Sequence, residues 1–140
     1  MNKKFNIIKI DHIAFATDSL KKSSSFLTDF LGLKHSKIEK IVEEKVNVLK
    51  FFNDKNHTAL ELLEPISKSS TISKYLKLKG KSLHHIALEV DNIQNAIFYL
   101  KANNIQMIYE KPQIGADKKL ITFIHPKETP GLLLELCQYS

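Results

Sequence analysis

Ile10-Asp11-His12-Ile13-Ala14-Phe15 and Leu83-His84-His85-Ile86-Ala87-Leu88 are two versions of one short strand. At an offset of 73 residues His12, Ile13 and Ala14 fall on His85, Ile86 and Ala87. The match runs on, with Asp18 over Asp91, Leu20 over Ile93, Phe26 over Tyr99 and Leu27 over Leu100. A period this long is no solenoid, and two copies fill the chain. The length of 140 residues and the 43% apolar content fit one domain. We therefore expect a single domain over residues 1–140, with module one at about 6–66, module two at about 80–140 and a Ser- and Lys-rich join in 67–82.

Each copy opens with an apolar run of strand type, then an Asp placed to cap a helix, then apolar residues at helical spacing. Ile93, Ala96, Ile97 and Leu100 form one continuous stripe. In the first copy Ser23 and Ser24 replace the two middle residues of the stripe, so that helix should be the weaker, with Gly32 as its stop. Strand-type runs follow at 37–44, 46–52 and 58–64, and again at 106–110, 120–125 and 132–138, and a short helix over 70–79 connects the halves. The predicted fold is α+β: two tandem β-α-β-β-β modules forming a curved, mostly antiparallel eight-stranded sheet around a metal site.

Composition removes several function classes. The 21 basic residues are all Lys, giving a formal charge of +6 without one guanidinium fork, so bidentate readout of guanine and a nucleic-acid partner are not expected. Lys9, Asp11 and His12 interrupt any signal-peptide core, and no run approaches the ~18 apolar residues of a membrane span. Cys137 is the only cysteine, so there is no internal disulfide, which fits a reducing cytoplasm.

Strand alternation sends His12 to the face of Ala14 and Ala16, and His85 to the face of Ala87, while Ile13, Phe15, Ile86 and Leu88 point the other way. A His beside small residues leaves room for a ligand. In each half an acid interrupts a late run of leucines, Glu61 and Glu135, lying 49 residues after His12 and 50 after His85. A carboxylate among buried leucines is costly unless paired or bound to a cation. Two imidazoles and two carboxylates suit a divalent ion such as Mn, Fe, Co, Ni or Zn and leave positions for substrate oxygens. The alternative is that both acids make ordinary salt bridges with Lys.

These residues resemble the vicinal oxygen chelate superfamily and, within it, the methylmalonyl-CoA epimerase family. The likeness covers nearly the whole chain, through 11–14, 60–65, 83–93, Ile114-Gly115-Ala116, Phe123-Ile124-His125-Pro126-Lys127 and 131–136. The resemblance implies metal ligands at His12, His85 and Glu135, with the fourth position on Glu61. It implies an acid/base Glu at Glu43, for which Glu44 competes, since Lys45 stands where the family carries a Gly. It implies interconversion of the 2R and 2S forms of methylmalonyl-CoA by removal of the α-proton, with Glu43 serving one face of the carbon and Glu135 the other. The implied partner is a small-molecule CoA thioester, with Lys127 meeting a CoA phosphate. The implied cofactor is a divalent ion (Co, Mn, Ni, Zn or Fe), and the implied assembly is a homodimer. His84 is expected to pack on the opposite face, His35 and His57 to be solvated, and His125 to border the site. A glyoxalase-type lyase, an extradiol dioxygenase and a non-catalytic binding module are the competitors. The residues after Gly115 disfavour the first, the acid at Glu61 the second and the complete ligand set the third.

Overall fold

A helix follows each histidine strand because the chain supplies its first-turn acceptors twice over. In the computed structural model, which describes residues 2–140, β1 (Ile7–Ala16) leads into α1 (Leu20–Ser25) and β5 (Ser82–Val90) into α3 (Ile93–Ala102). Sequence pattern places Asp18 and Asp91 as caps, but the capping residues are their successors. Ser19 Oγ accepts from the Lys22 amide at 3.2 Å, and Asn92 Oδ1 from the Asn95 amide at 2.9 Å. Asp91 stands one residue too early to cap and instead holds the N-terminal arm. Its Oδ1 accepts from the Asn6 amide at 2.7 Å and its Oδ2 from Asn6 Nδ2 at 3.0 Å. A second device also recurs. The Leu20 amide donates to Glu64 Oε2 at 2.8 Å and the Ile93 amide to Gln138 Oε1 at 2.7 Å, so a late strand side chain satisfies the first helical amide in both halves.

The two helices differ as their stripes predict. α3 buries Ile93, Ala96 and Ile97, whereas α1 buries only Leu20. Ser25 Oγ and Thr28 Oγ1 donate back to the carbonyls of Lys21 (2.7 Å) and Ser24 (2.9 Å), and the helix widens into a π-helical turn at Phe26–Phe30.

The strands fall into two compact units. In His12–His84, β2 (Glu39–Ile41), β3 (Val46–Phe51) and β4 (Ala59–Pro65) run antiparallel in sequence, and β4 pairs with β1 in parallel. Its core packs Leu20, Leu49, Phe51 and Leu62 against Phe15, Leu27, Leu33 and Leu60. α2 (Thr71–Lys79) is capped by Ser70 and stops at Gly80, matching the predicted connecting helix. The other unit comprises the residues up to Asp11 together with His85–Ser140. There β8 (Leu133–Gln138) pairs with β5 in parallel, and β7 (Leu120–Ile124) pairs antiparallel with β8 and with β6 (Gln113–Ile114). Phe5 joins a core with Val90, Ile93, Ala96, Ile97, Met107 and Leu136, which is why the N-terminal arm travels with the second repeat. The class is the expected α+β, with eight strands and three α-helices among the described residues.

One expected strand is cut short and another does not form. The run 37–44 pairs only at Glu39–Ile41, because residues 42–45 turn, closed by the Lys45 amide on the Val42 carbonyl at 3.1 Å. The run 106–110 is not a strand. It touches β7 through a bridge at Met107 and the Ile108 amide, after which Thr122 Oγ1 takes the Tyr109 carbonyl at 2.6 Å and Pro112 has no amide to give. The edge strand forms at Gln113–Ile114, just before Gly115, where a Cβ would meet Ile121 Cγ2 at 2.9 Å.

Candidate functional site

Register carries the repeat into the site. In the β1/β4 pair His12 lies opposite Ala59 and Ala14 opposite Glu61. In the β5/β8 pair His85 lies opposite Leu133 and Ala87 opposite Glu135. Each histidine thus shares a face with an alanine two residues on, and the carboxylate stands across from that alanine. Ala14 and Ala87 are both 0% exposed, and their methyl groups leave the adjoining space to the larger polar side chains. His12 Nδ1 lies 3.4 Å from Glu61 Oε2, and His85 Nε2 lies 3.5 Å from Glu135 Oε1. All four residues are buried. A buried carboxylate costs several kcal/mol unless cations or hydrogen bonds meet it, yet Glu61 Oε2 accepts no hydrogen bond.

The two halves differ in the third strand. Lys50 faces Glu61 across β3 and β4, its Nζ 3.5 Å from Oε2, and is only 4% exposed. At the matching place opposite Glu135 stands Phe123, whose ring meets the His85 ring edge-on at 5.5 Å. Pairing of the acids with Lys is the alternative expected from sequence, and Glu61 does have such a neighbour, but sequence reasoning did not identify it as Lys50. Its signal was a lysine in the buried run Val46-Asn47-Val48-Leu49-Lys50-Phe51, at a register that alternation places beside the later acid.

The turn before β3 separates the two candidate acid/base residues. Glu43 is exposed, while Glu44 is half-buried and its Oε1 has no hydrogen-bond partner. Burial, then the charges of Glu61 and Glu43, push the Glu44 carboxyl up to about 7, with His12 acting the other way. Lys45 takes a left-handed φ of 56°, the conformation glycine adopts most cheaply, which accounts for the glycine that the resemblance expects there.

A buried ion pair anchors the residue before His12. Lys119 Nζ donates to Asp11 Oδ2 at 3.1 Å, and the Tyr139 hydroxyl donates to Asp11 Oδ1 at 2.7 Å. The Lys119 backbone holds the loop after β6, its carbonyl accepting from the Gly115 amide at 2.9 Å. Sequence gives no sign of this triad, whose members are 108 and 128 residues from Asp11.

Of the remaining histidines, His84, His35 and His57 lie as expected. His84 stacks edge-on against Tyr75 at 4.8 Å, and burial pushes its imidazole down to about 4. His57 pairs with Asp54 at the surface at 2.8 Å, and His35 is exposed. His125 accepts from the Lys127 amide at 3.2 Å, with the Lys127 side chain in solvent.

Comparison with known proteins agrees with this architecture. Residues 11–123 match the model of the Glyoxalase/Bleomycin resistance protein/Dioxygenase superfamily. A mitochondrial methylmalonyl-CoA epimerase of Mus musculus is 38% identical over 93% of this chain and 72% of its own length. YqjC of Bacillus subtilis, an uncharacterized protein, is 38% identical over 93% of this chain and 91% of its own. A Streptomyces coelicolor methylmalonyl-CoA epimerase, solved in complex with 2-nitronate-propionyl-CoA, superposes with a TM-score of 0.89 at 29% identity, over 96% of this chain and 99% of that one. Fold, repeated register and these likenesses agree, and the chain belongs to the Glyoxalase/Bleomycin resistance protein/Dioxygenase superfamily and, within it, to the methylmalonyl-CoA epimerase family.

Proposed function

We propose that this chain interconverts (2R)- and (2S)-methylmalonyl-CoA, using His12, Glu61, His85 and Glu135 to hold one divalent ion. The observation that carries the reading is the duplicated register, which sets a buried histidine beside a buried carboxylate in each half. The donor set fits such an ion. Imidazole and carboxylate suit first-row divalent metals, and the buried Glu61 Oε2, although Lys50 Nζ lies 3.5 Å away, accepts no hydrogen bond and keeps lone pairs for a metal ion. Within that class Co, Mn, Ni, Zn or Fe is proposed. When bound, the ion would supply Lewis-acid stabilisation of negative charge developing on the substrate oxygens.

The proton work falls to the chain's own carboxylates. Glu44 is assigned as one acid/base, its Oε1 taking the proton from C2 on one face of the carbon. Glu43 is the residue favoured by resemblance, but its side chain is exposed, whereas the Glu44 oxygen is buried and without a hydrogen bond. A carboxyl near 7 is also well matched to taking and returning a proton at neutral pH. Glu135 is assigned to the opposite face. Lys127, exposed on the short helix Pro126–Glu128, is proposed to meet a CoA phosphate. The reading also includes a homodimer and a cytoplasmic setting, the latter supported by a single buried cysteine without a disulfide. No helix among the described residues is long and apolar enough to cross a membrane.

Deuterium exchange tests the reaction. Metal-loaded protein in D2O should wash deuterium into C2 of methylmalonyl-CoA and equalise the two epimers, and His85→Ala should abolish both. Absence of exchange with each of the five ions would sink the proposal. Light scattering would check the dimer.

A further inference from the structure

The asymmetry between Lys50 and Phe123 has no part in the proton chemistry, yet it lies against a proposed ligand. Both occupy the strand register directly opposite the site carboxylate, one facing Glu61 and the other Glu135. A lysine 4% exposed is rare, because the ammonium loses most of its hydration, and such residues persist where a counter-charge is close. Here Nζ is 3.5 Å from Glu61 Oε2, the oxygen that also lies 3.4 Å from His12 Nδ1. With a neutral imidazole, His12, Glu61 and Lys50 together sum to zero charge. The half built on His85 and Glu135 faces its acid with an aromatic ring instead.

We infer that Lys50 is a built-in counter-cation for Glu61, which stabilises the carboxylate when no metal is bound and competes with a divalent ion for it. The inference rests on the reading of Glu61 as a metal ligand. Lys50 then acts in two opposite directions. It lowers the cost of burying Glu61 in the metal-free protein, and it repels an incoming divalent ion through a charge too buried to be screened by salt. Metal affinity is weakened, and the metal-free fold is protected. It also leaves the loaded site more positive by one charge, which favours an anionic substrate.

Co2+ titrated calorimetrically into chelator-treated protein tests this beside thermal melts of the same metal-free samples. Lys50→Met should bind Co2+ roughly tenfold tighter or more, by removal of the like charge, while melting lower than wild type without metal. K50M/E61Q carries neither charge and should recover the metal-free melting temperature while losing the gain in affinity. If K50M is unfolded without metal, Co2+ should restore its native circular dichroism by replacing the missing cation, and a chain that stays unfolded refutes the inference. Equal or weaker Co2+ binding by folded K50M, or an unchanged metal-free melt, overturns it while leaving the metal reading intact. Failure of the wild-type protein to bind Co2+ overturns the metal reading and this inference with it.

Discussion

Replacing Lys119 with Met should destabilise the protein by about 3 kcal/mol, and neutralising Asp11 as well should restore most of the loss. The ammonium is 1% exposed and Asp11 4%, and they meet at 3.1 Å. Removing one partner of such a pair leaves an uncompensated buried charge, at a cost of about 3–5 kcal/mol. The lower figure applies because the Tyr139 hydroxyl still donates to Asp11 at 2.7 Å, a bond to a charged acceptor worth about 1.5–3 kcal/mol. With an unfolding entropy of ~2.1 cal/mol/K per residue, 3 kcal/mol lowers Tm by roughly 10 °C in a chain this size. In K119M/D11N the amide oxygen can still accept from Tyr139, no buried charge remains, and stability should return to within ~1 kcal/mol of wild type. Asp11→Asn strands the buried Lys119 ammonium at a similar cost, so urea unfolding of the wild type, both single variants and the double closes a cycle whose coupling term should be about 5 kcal/mol in magnitude. A cost below ~1 kcal/mol for K119M, or a double variant as unstable as the two singles added together, would refute the claim that this pair is a buried and tightly coupled charge pair.

Glu44→Gln should slow C2 proton exchange by about 100-fold or more with metal binding retained, while Glu43→Gln stays near wild type, and the reverse pattern would return the role to Glu43. His84 has its imidazole held near 4, below its unfolded value of ~6.5, so its neutral form is favoured in the folded chain. Stability is therefore full above pH ~6.5 and falls as pH drops toward 4, where the unfolded chain takes the proton first. Because the ring is only half-buried, His84→Phe should remove on the order of 2 kcal/mol of that loss between pH 7 and 4.5 while keeping an aromatic edge for Tyr75; parallel unfolding curves across that range would refute the account. The Asn6 backbone and then side-chain hydrogen bonds hold Asp91 below the usual carboxylate range, so its grip on the N-terminal arm is present at neutral pH and lost as pH falls through that lowered value. In Asp91→Asn, hydrogen exchange at the Asn6 amide should already be fast at pH 7, and unchanged protection would show that Phe5 packing alone holds the arm.

The chain's duplication is what made half of this readable in sequence. A single strand histidine has little specificity, but His12 and His85 recur with Glu61 and Glu135 at nearly constant separation. Parallel pairing of first and last strands in each half converts that separation into a shared face, Ala14 opposite Glu61 and Ala87 opposite Glu135. Helices were legible from their stripes, including the weakness of α1. Caps were misplaced by one residue, because Asp, Ser and Asn are all competent acceptors and only backbone geometry chooses among the neighbours. Strand 106–110 failed for a related reason. Its apolar spacing fits a strand, but Thr122 and Pro112 disrupt the ladder, and side-chain competition for a carbonyl leaves no periodic trace.

What the repeat could not reveal is where the halves diverge. Lys50 and Phe123 occupy equivalent registers, and the offset that aligns the histidines gives no reason to expect a cation in one and a ring in the other. The same holds for Glu44, which lies in the turn between β2 and β3, whereas the equivalent link between β6 and β7, residues 115–119, contains no Glu. A duplicated fold reports by sequence the groups that both copies need, here the four proposed ligands. The proposed substrate has no twofold symmetry of its own, so the groups that meet it need not recur in both halves. Such groups are to be sought where the two copies depart from each other. On this chain they are a half-buried acid and a buried lysine, both beside His12 and Glu61 rather than His85 and Glu135.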